Sequence, residues 1–270
     1  MVNKISGVYS YAFGKTPFLL AVRQGRKEIL PLLIANGANL NAKDEKGETP
    51  LCNAIGGRSW YDKTPEEKAT NDANDMEIVM LLIKNGADVK KANKDGTLLH
   101  YVAARGWYEV AELLIAKGAN VNARYYKGEG RIYDGYTALH FAAENGHTDI
   151  VKLLITNGAN VNAKEGSGET PLCIAASKGY RNIAEFLIAK GADVNAKGLY
   201  FYTRFHSCIE APTVLHYAVD GNNIEIVKLL IANGANVNAK AKDGITPLRL
   251  VTPNGPREII DLLKKHGAVE

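Results

Sequence analysis

The chain has 270 residues, 46% of them hydrophobic, and its 33 lysines and arginines against 29 aspartates and glutamates leave a net charge of +4. That apolar content excludes a disordered chain. No run approaches about 18 apolar residues and no signal-type stretch follows Met1-Val2-Asn3-Lys4-Ile5, so a soluble cytoplasmic protein without membrane contact is expected. Three widely spaced cysteines, Cys52, Cys173 and Cys208, fit a reduced compartment, and no basic run marks a nucleic-acid surface.

Seven Thr-led tetrads follow one another along the chain. They are Thr16-Pro17-Phe18-Leu19, Thr49-Pro50-Leu51-Cys52, Thr97-Leu98-Leu99-His100, Thr137-Ala138-Leu139-His140, Thr170-Pro171-Leu172-Cys173, Thr213-Val214-Leu215-His216 and Thr246-Pro247-Leu248-Arg249. The steps between them are 33, 48, 40, 33, 43 and 33 residues, a base period of 33 with additions of 15, 7 and 10. A second marker, Gly-Ala, begins at Gly37, Gly86, Gly118, Gly158, Gly191, Gly234 and Gly267, and lies 21 residues after the threonine in every copy but the second. A fixed period of this length predicts an all-α repeat solenoid. It reads as one domain over residues 1–270, with repeats starting near 12, 45, 93, 133, 166, 209 and 242 and insertions near 58–74, 124–133 and 198–210.

In the first copy, Pro31 falls inside the second helix and predicts a kink, since an interior proline costs about 3 kcal/mol, so this copy reads as an irregular cap. In the second, Thr64-Pro65-Glu66-Glu67 reads as a helix start with a capping threonine and proline at the first position. The fourth copy displays the general plan. Thr137 caps a short helix with Leu139, Ala142 and Ala143 inward, and Gly146 ends it. A second helix carries Ile150, Val151, Leu153, Leu154 and Ile155, and Gly158 supplies the positive φ that terminates it. Asn160-Val161-Asn162-Ala163 then runs extended toward Thr170. One such unit leaves its apolar faces wet, so neighbours must bury them. In the sixth copy Asn222 replaces the glycine found as Gly25, Gly106, Gly146, Gly179 and Gly255, an exchange the left-handed region tolerates. The last helix, Arg257 to His266, carries Arg257, Glu258, Asp261, Lys264 and Lys265, as expected of the terminal unit of a complete array.

The tetrads, the phrase Ala142-Ala143-Glu144-Asn145-Gly146-His147 and the phrase Gly158-Ala159-Asn160-Val161-Asn162-Ala163 together resemble the ankyrin repeat family, from about Thr16 to Ala268. The resemblance implies a curved stack of helix pairs with β-hairpin fingers at one edge, binding protein and lacking catalytic chemistry and cofactors. It assigns His100, His140 and His216 a structural role and His147 a place at the helix junction. The tetrad histidine is Leu19, Cys52, Cys173 or Arg249 in four copies, which removes a hydrogen bond and predicts looser junctions there. The wording Asn-Gly-Ala-Asn-Val-Asn-Ala-Lys is similar to that of ankyrin proteins of intracellular bacteria, which leaves open an effector secreted into a host.

In a repeat array, function is sought in what departs from the repeat. Two fingers are lengthened and crowded with rings and arginines. One carries Tyr125, Tyr126, Arg131, Tyr133 and Tyr136, the other Tyr200, Phe201, Tyr202, Arg204 and Phe205. Finger tips add little to a core, so these rings are expected to be at least partly exposed, as on a hot-spot surface. In the competing reading the rings pack on one another or across their own strands. Two repeats separate the fingers, about 20 Å at helix-layer spacing, and the floor between them would be Arg105, Glu144, Asn145, Ser177, Lys178 and Asp220. The partner expected is a protein, and the chain a monomer. The alternative is a nucleotide or oligonucleotide sensor, with rings such as Tyr125 or Phe201 stacking a base and Arg124, Arg131 or Arg204 holding phosphate. A third reading is a passive scaffold with dispensable rings. The insertion at 58–74 brings Trp60 and Tyr61 near Trp107 and Tyr108, where four rings would pin it down or form a second site. His206, Cys208 and Glu210 are the closest grouping of potential ligands or nucleophile, yet they lack the third or fourth partner that a zinc or nucleophilic site requires, and no phosphate-binding loop is present. No catalytic and no metal residue is therefore assigned.

Overall fold

The computed structural model describes residues 16–56, 65–89, 97–126, 134–202, 208–242, 244–251 and 255–269. Among these, the helices run in pairs: α1 (Pro17–Gln24) with α2 (Leu30–Ala35), α3 (Pro50–Gly56) with α4 (Pro65–Lys84), α5 (Leu98–Arg105) with α6 (Tyr108–Ala116), and α7 (Ala138–Glu144) with α8 (Thr148–Thr156). Then come α9 (Pro171–Lys178) and α10 (Arg181–Ala189), the short strands β1 (Tyr200–Tyr202) and β2 (Cys208–Glu210), α11 (Val214–Asp220) with α12 (Ile224–Ala232), and α13 (Pro247–Val251) with α14 (Arg257–Lys265). This is an all-α repeat solenoid. Residues up to Asn120, less Ala103–Gly106, form one compact unit, and Ala103–Gly106 with the residues from Val121 onward form a second.

The helix starts follow from the threonines. Thr16 and Thr170 sit in extended conformation before proline and accept the amide hydrogens of Leu19 (3.2 Å) and Cys173 (3.3 Å). Where the tetrad ends in histidine the arrangement is reciprocal. His140 Nδ1 accepts from the Thr137 amide at 3.1 Å, which places the ring proton on Nε2, and that nitrogen donates to the Glu169 carbonyl at 3.2 Å. His216 repeats this with Thr213 (3.1 Å) and the Ile245 carbonyl (3.0 Å), and burial keeps its pKa below the usual histidine value. Each such histidine ties its own helix to the next repeat. At the Cys173 copy the equivalent carbonyl, that of Pro212, instead accepts from the Gly198 amide at 3.0 Å, so the loss of histidine does not leave it unsatisfied.

α4 starts at Pro65, as its sequence predicts. Pro31 does not kink a continuous helix. Lys27–Ile29 forms a 3-10 turn and α2 begins at Leu30, so the proline lies within the first two helical positions, where its missing N–H has no intrahelical partner to lose. Asn222 adopts φ 61°, the left-handed value expected of it.

Close approach between helix turns explains two of the glycines. Gly106 and Gly146 have φ of 77° and 76°, and a Cβ on either would meet the ring of His147 or of Tyr180 from the following repeat. His147 Nε2 contacts the Ala104 carbonyl at 3.2 Å, Asn223 donates to those of Ala176 (2.7 Å) and Ser177 (3.1 Å), and Asn74 donates to that of Gly25 (3.0 Å). The helix-junction position therefore clasps the repeat before it.

The Asn-Val-Asn wording also acquires a physical reason. Asn162 donates to the Gly191 carbonyl at 3.0 Å and accepts from the Asp193 amide at 2.8 Å, joining one repeat to the next. Asn122, Asn195 and Asn238 do the same at their junctions. Exposed hydrogen bonds contribute modestly, so Asn162→Ala is expected to cost about 1 kcal/mol, read from the urea midpoint at unchanged m-value.

Candidate functional site

The finger preceding α7 closes on a backbone pair, with the Tyr125 amide donating to the Tyr136 carbonyl and the Gly135 amide to the Tyr125 carbonyl, both at 2.7 Å. This pairing sets the tyrosines. Tyr125 and Tyr136 are each only 7% exposed, and the next residue, Tyr126, is 56% exposed. Tyr125 meets Phe141 edge-on at 5.5 Å, and Tyr136 lies 5.1 Å from Phe141 and 5.2 Å from His140. The expectation of exposed rings is thus corrected for Tyr125 and Tyr136. They stand at the base of the finger, where the chain enters α7, and fill the angle between hairpin and helix by packing on Phe141 and His140 of α7. Arg131 and Tyr133 lie outside the described residues.

In the second finger β1 and β2 pair antiparallel, Tyr200 opposite Glu210, Phe201 opposite Ile209 and Tyr202 opposite Cys208. Ile209 is buried. For Tyr200, Phe201 and Tyr202 the backbone alone is described, and Arg204, Phe205 and His206 lie outside the described residues. Of the grouping His206, Cys208 and Glu210, the Glu210 carboxylate is engaged by Lys242. Among the described residues no cluster of three or more histidine, cysteine or acidic side chains is placed to hold a metal, and no helix is long and apolar enough to cross a membrane.

Backbone hydrogen bonds link the fingers of this second unit: Gly166 to the Asp134 carbonyl (2.7 Å), Leu199 to Ser167 (2.6 Å) and Lys242 to Glu210 (2.8 Å). The inner-helix floor is polar. Glu144 and Lys178 approach to 3.6 Å, and burial raises the Glu144 pKa against the pull of that lysine. Asn145 is exposed and donates to the Phe141 carbonyl of its own helix at 2.9 Å, while Arg105, Ser177 and Asp220 are half-buried.

Beside this floor lies a group that sequence reasoning missed. Glu165 is buried and accepts the Glu169 amide at 2.9 Å. Burial first, and the neighbouring Glu165 second, push the Glu169 carboxyl up to about 7, while the nearby Tyr217 hydroxyl works the other way. Tyr217 is itself buried, which drives its phenol well above the ordinary tyrosine value. The one available signal is that the acid pair recurs as Asp44 and Glu48 in the second copy. There Asp44 accepts the amides of Lys46 and Glu48 at 2.9 Å, and these bonds with that of Asn53 outweigh the largest influence, burial, so its pKa falls. Cys52 and Cys173 are buried small side chains, and burial lifts the Cys173 thiol to about 11, far from a nucleophile.

In the first unit, Trp107 is buried and its indole N–H donates to Asp72 of α4 at 2.8 Å, which fastens the lengthened helix, whereas Tyr108 is exposed. Trp60 and Tyr61, the other half of the expected ring cluster, lie outside the described residues.

A family model for ankyrin repeats in three copies matches residues 68–165, 124–198 and 202–269, and one for the single ankyrin repeat matches 13–45. The chain is similar to an ankyrin repeat protein of Variola virus, 31% identical over 112 residues that make up 40% of this chain and 17% of that protein. It is similar to ankyrin repeat and KH domain-containing protein 1 of Homo sapiens, 34% identical over 117 residues, 42% of this chain and 4% of that protein. To the Notch-regulated ankyrin repeat-containing protein of Homo sapiens it is 39% identical over 105 residues, 37% of this chain and 78% of that protein. The matched segment is thus a small part of the first two relatives. Helix pairs held by threonine caps, junction clasps and asparagine bridges, and matched by the repeat models over most of their length, place this chain in the ankyrin repeat family, whose members are generally non-catalytic protein-interaction modules.

Proposed function

We propose that this chain captures a protein partner on one side of its second unit, using Tyr126, the β1–β2 finger with Tyr200, Phe201 and Tyr202, and the floor of Arg105, Glu144, Asn145, Ser177 and Lys178. The observation that carries this reading is Tyr126, a large ring 56% exposed on a finger whose base is fixed by two buried rings. A ring presented from a rigid base loses little freedom on binding, which is why such rings dominate interface energetics. Tyr125 and Tyr136 support the surface and are not part of it. Arg131, Tyr133, Arg204 and Phe205 belong to the proposal through their place in the two lengthened fingers.

The triple variant Tyr126→Ala/Tyr200→Ala/Tyr202→Ala is the test. Its melting temperature is expected to stay within about 2 °C of the parent, and proteins retained by the immobilised parent chain should be lost at least about tenfold. An unchanged capture profile would leave the scaffold reading in its place. A thermal shift with an oligonucleotide that the triple variant lacks would favour the ligand-sensor reading.

A further inference from the structure

Equivalent positions in four successive repeats of the second unit carry Arg124, Lys164, Lys197 and Lys240, all exposed. Each of the first three reaches the backbone of the next. Arg124 donates to the Lys164 carbonyl at 2.8 Å, Lys164 to that of Lys197 at 3.3 Å, and Lys197 to that of Lys240 at 3.4 Å. One hydrogen bond to a carbonyl orients a cation without neutralising it, and among the described residues none of the four is paired with a carboxylate. Two acids of the same fingers are already engaged: Glu165 is buried and accepts the Glu169 amide, and Glu210 is held by Lys242. The result is a row of exposed positive charges, the first three of them held by hydrogen bonds, that advances by one repeat at a time.

The period of this row selects its occupant. Packed helix layers are about 8–10 Å apart, so the charges recur at about that interval. A polyproline-II chain has three residues per turn and rises about 3.1 Å per residue, and so presents every third side chain on one side at about 9.3 Å. A β-strand presents every second side chain at about 6.7 Å and falls out of step.

We propose that Arg124, Lys164, Lys197 and Lys240 form a docking ladder for an extended peptide of a protein partner that carries an acidic residue at every third position. The ladder shares no residue with the capture surface above, so each is tested by its own variants. The probe is a fluorescein-labelled peptide of four Glu-Pro-Pro triplets, measured by anisotropy against the full chain and compared with a peptide of four glutamates followed by eight prolines. The triplet peptide is expected to bind at least about fivefold more tightly than the block peptide of identical composition. Its affinity should fall about tenfold between 50 and 300 mM NaCl, because exposed charges are screened. Lys164→Gln/Lys197→Gln/Lys240→Gln should abolish the preference, and the corresponding triple arginine variant, which retains charge and donors, should keep it whether or not the glutamine variant folds. Equal binding of the two peptides, or an arginine variant that loses the preference, overturns the proposal. Tighter binding of a twelve-nucleotide oligothymidylate than of the triplet peptide overturns it in favour of a nucleic acid.

Discussion

Tyr136→Ala should lower the stability of the second unit by about 3 kcal/mol, while Tyr126→Ala, ten residues earlier in the same finger, should change it by less than about 0.5 kcal/mol. The difference follows from where the rings lie. Tyr136 is buried against Phe141 and His140, and its removal opens a cavity at the base of the finger beside a histidine that links two repeats. Tyr126 leaves no cavity because over half of its surface already meets water. Urea unfolding followed by circular dichroism reads both values, and Tyr136→Phe, which keeps the ring, should recover most of the loss. A destabilised Tyr126→Ala with a stable Tyr136→Ala would reverse the assignment of anchor and contact.

The second large effect concerns pH. The Glu169 carboxyl titrates near 7 in the folded chain and near 4.5 when unfolded. Between those values the folded state binds more protons than the unfolded state, so stability falls as pH rises from about 4.5 to about 7 and is flat with respect to this group above that. At one pKa unit per 1.36 kcal/mol, the loss amounts to about 3 kcal/mol. Glu169→Gln, which cannot ionise, should therefore be more stable than the parent at pH 8 by about that amount and nearly equal to it at pH 4. Its urea midpoint should lack the decline through neutrality. A parent chain whose midpoint rises between pH 5 and pH 7.5 in step with Glu169 ionisation would mean that the carboxylate, not the acid, is the form the fold prefers.

The proposed capture surface would also change character over this range. As Glu169 ionises, it adds negative charge beside Glu144 and Lys178. A partner that presents a basic residue to the floor would gain affinity from pH 6 to pH 8, and one that presents an acidic residue would lose it.

The repeat frame was legible in the amino-acid sequence because each of its devices is local. A threonine caps the helix that follows it, a glycine or Asn222 turns the chain that precedes it, and α4 begins at Pro65, all within a few residues. Tertiary structure decided the rest. Whether a tyrosine of the first finger is anchor or contact depends on the hairpin register that pairs Tyr125 with Tyr136, and neighbouring positions in an extended chain face opposite ways. Pro31 implies a kink only in a helix of ordinary length, and the chain starts the helix at Leu30 and so admits it. The Glu169 pKa is set by burial and by Glu165, with Tyr217 of a later repeat opposing it; no pattern within one repeat encodes the dielectric that its neighbours create.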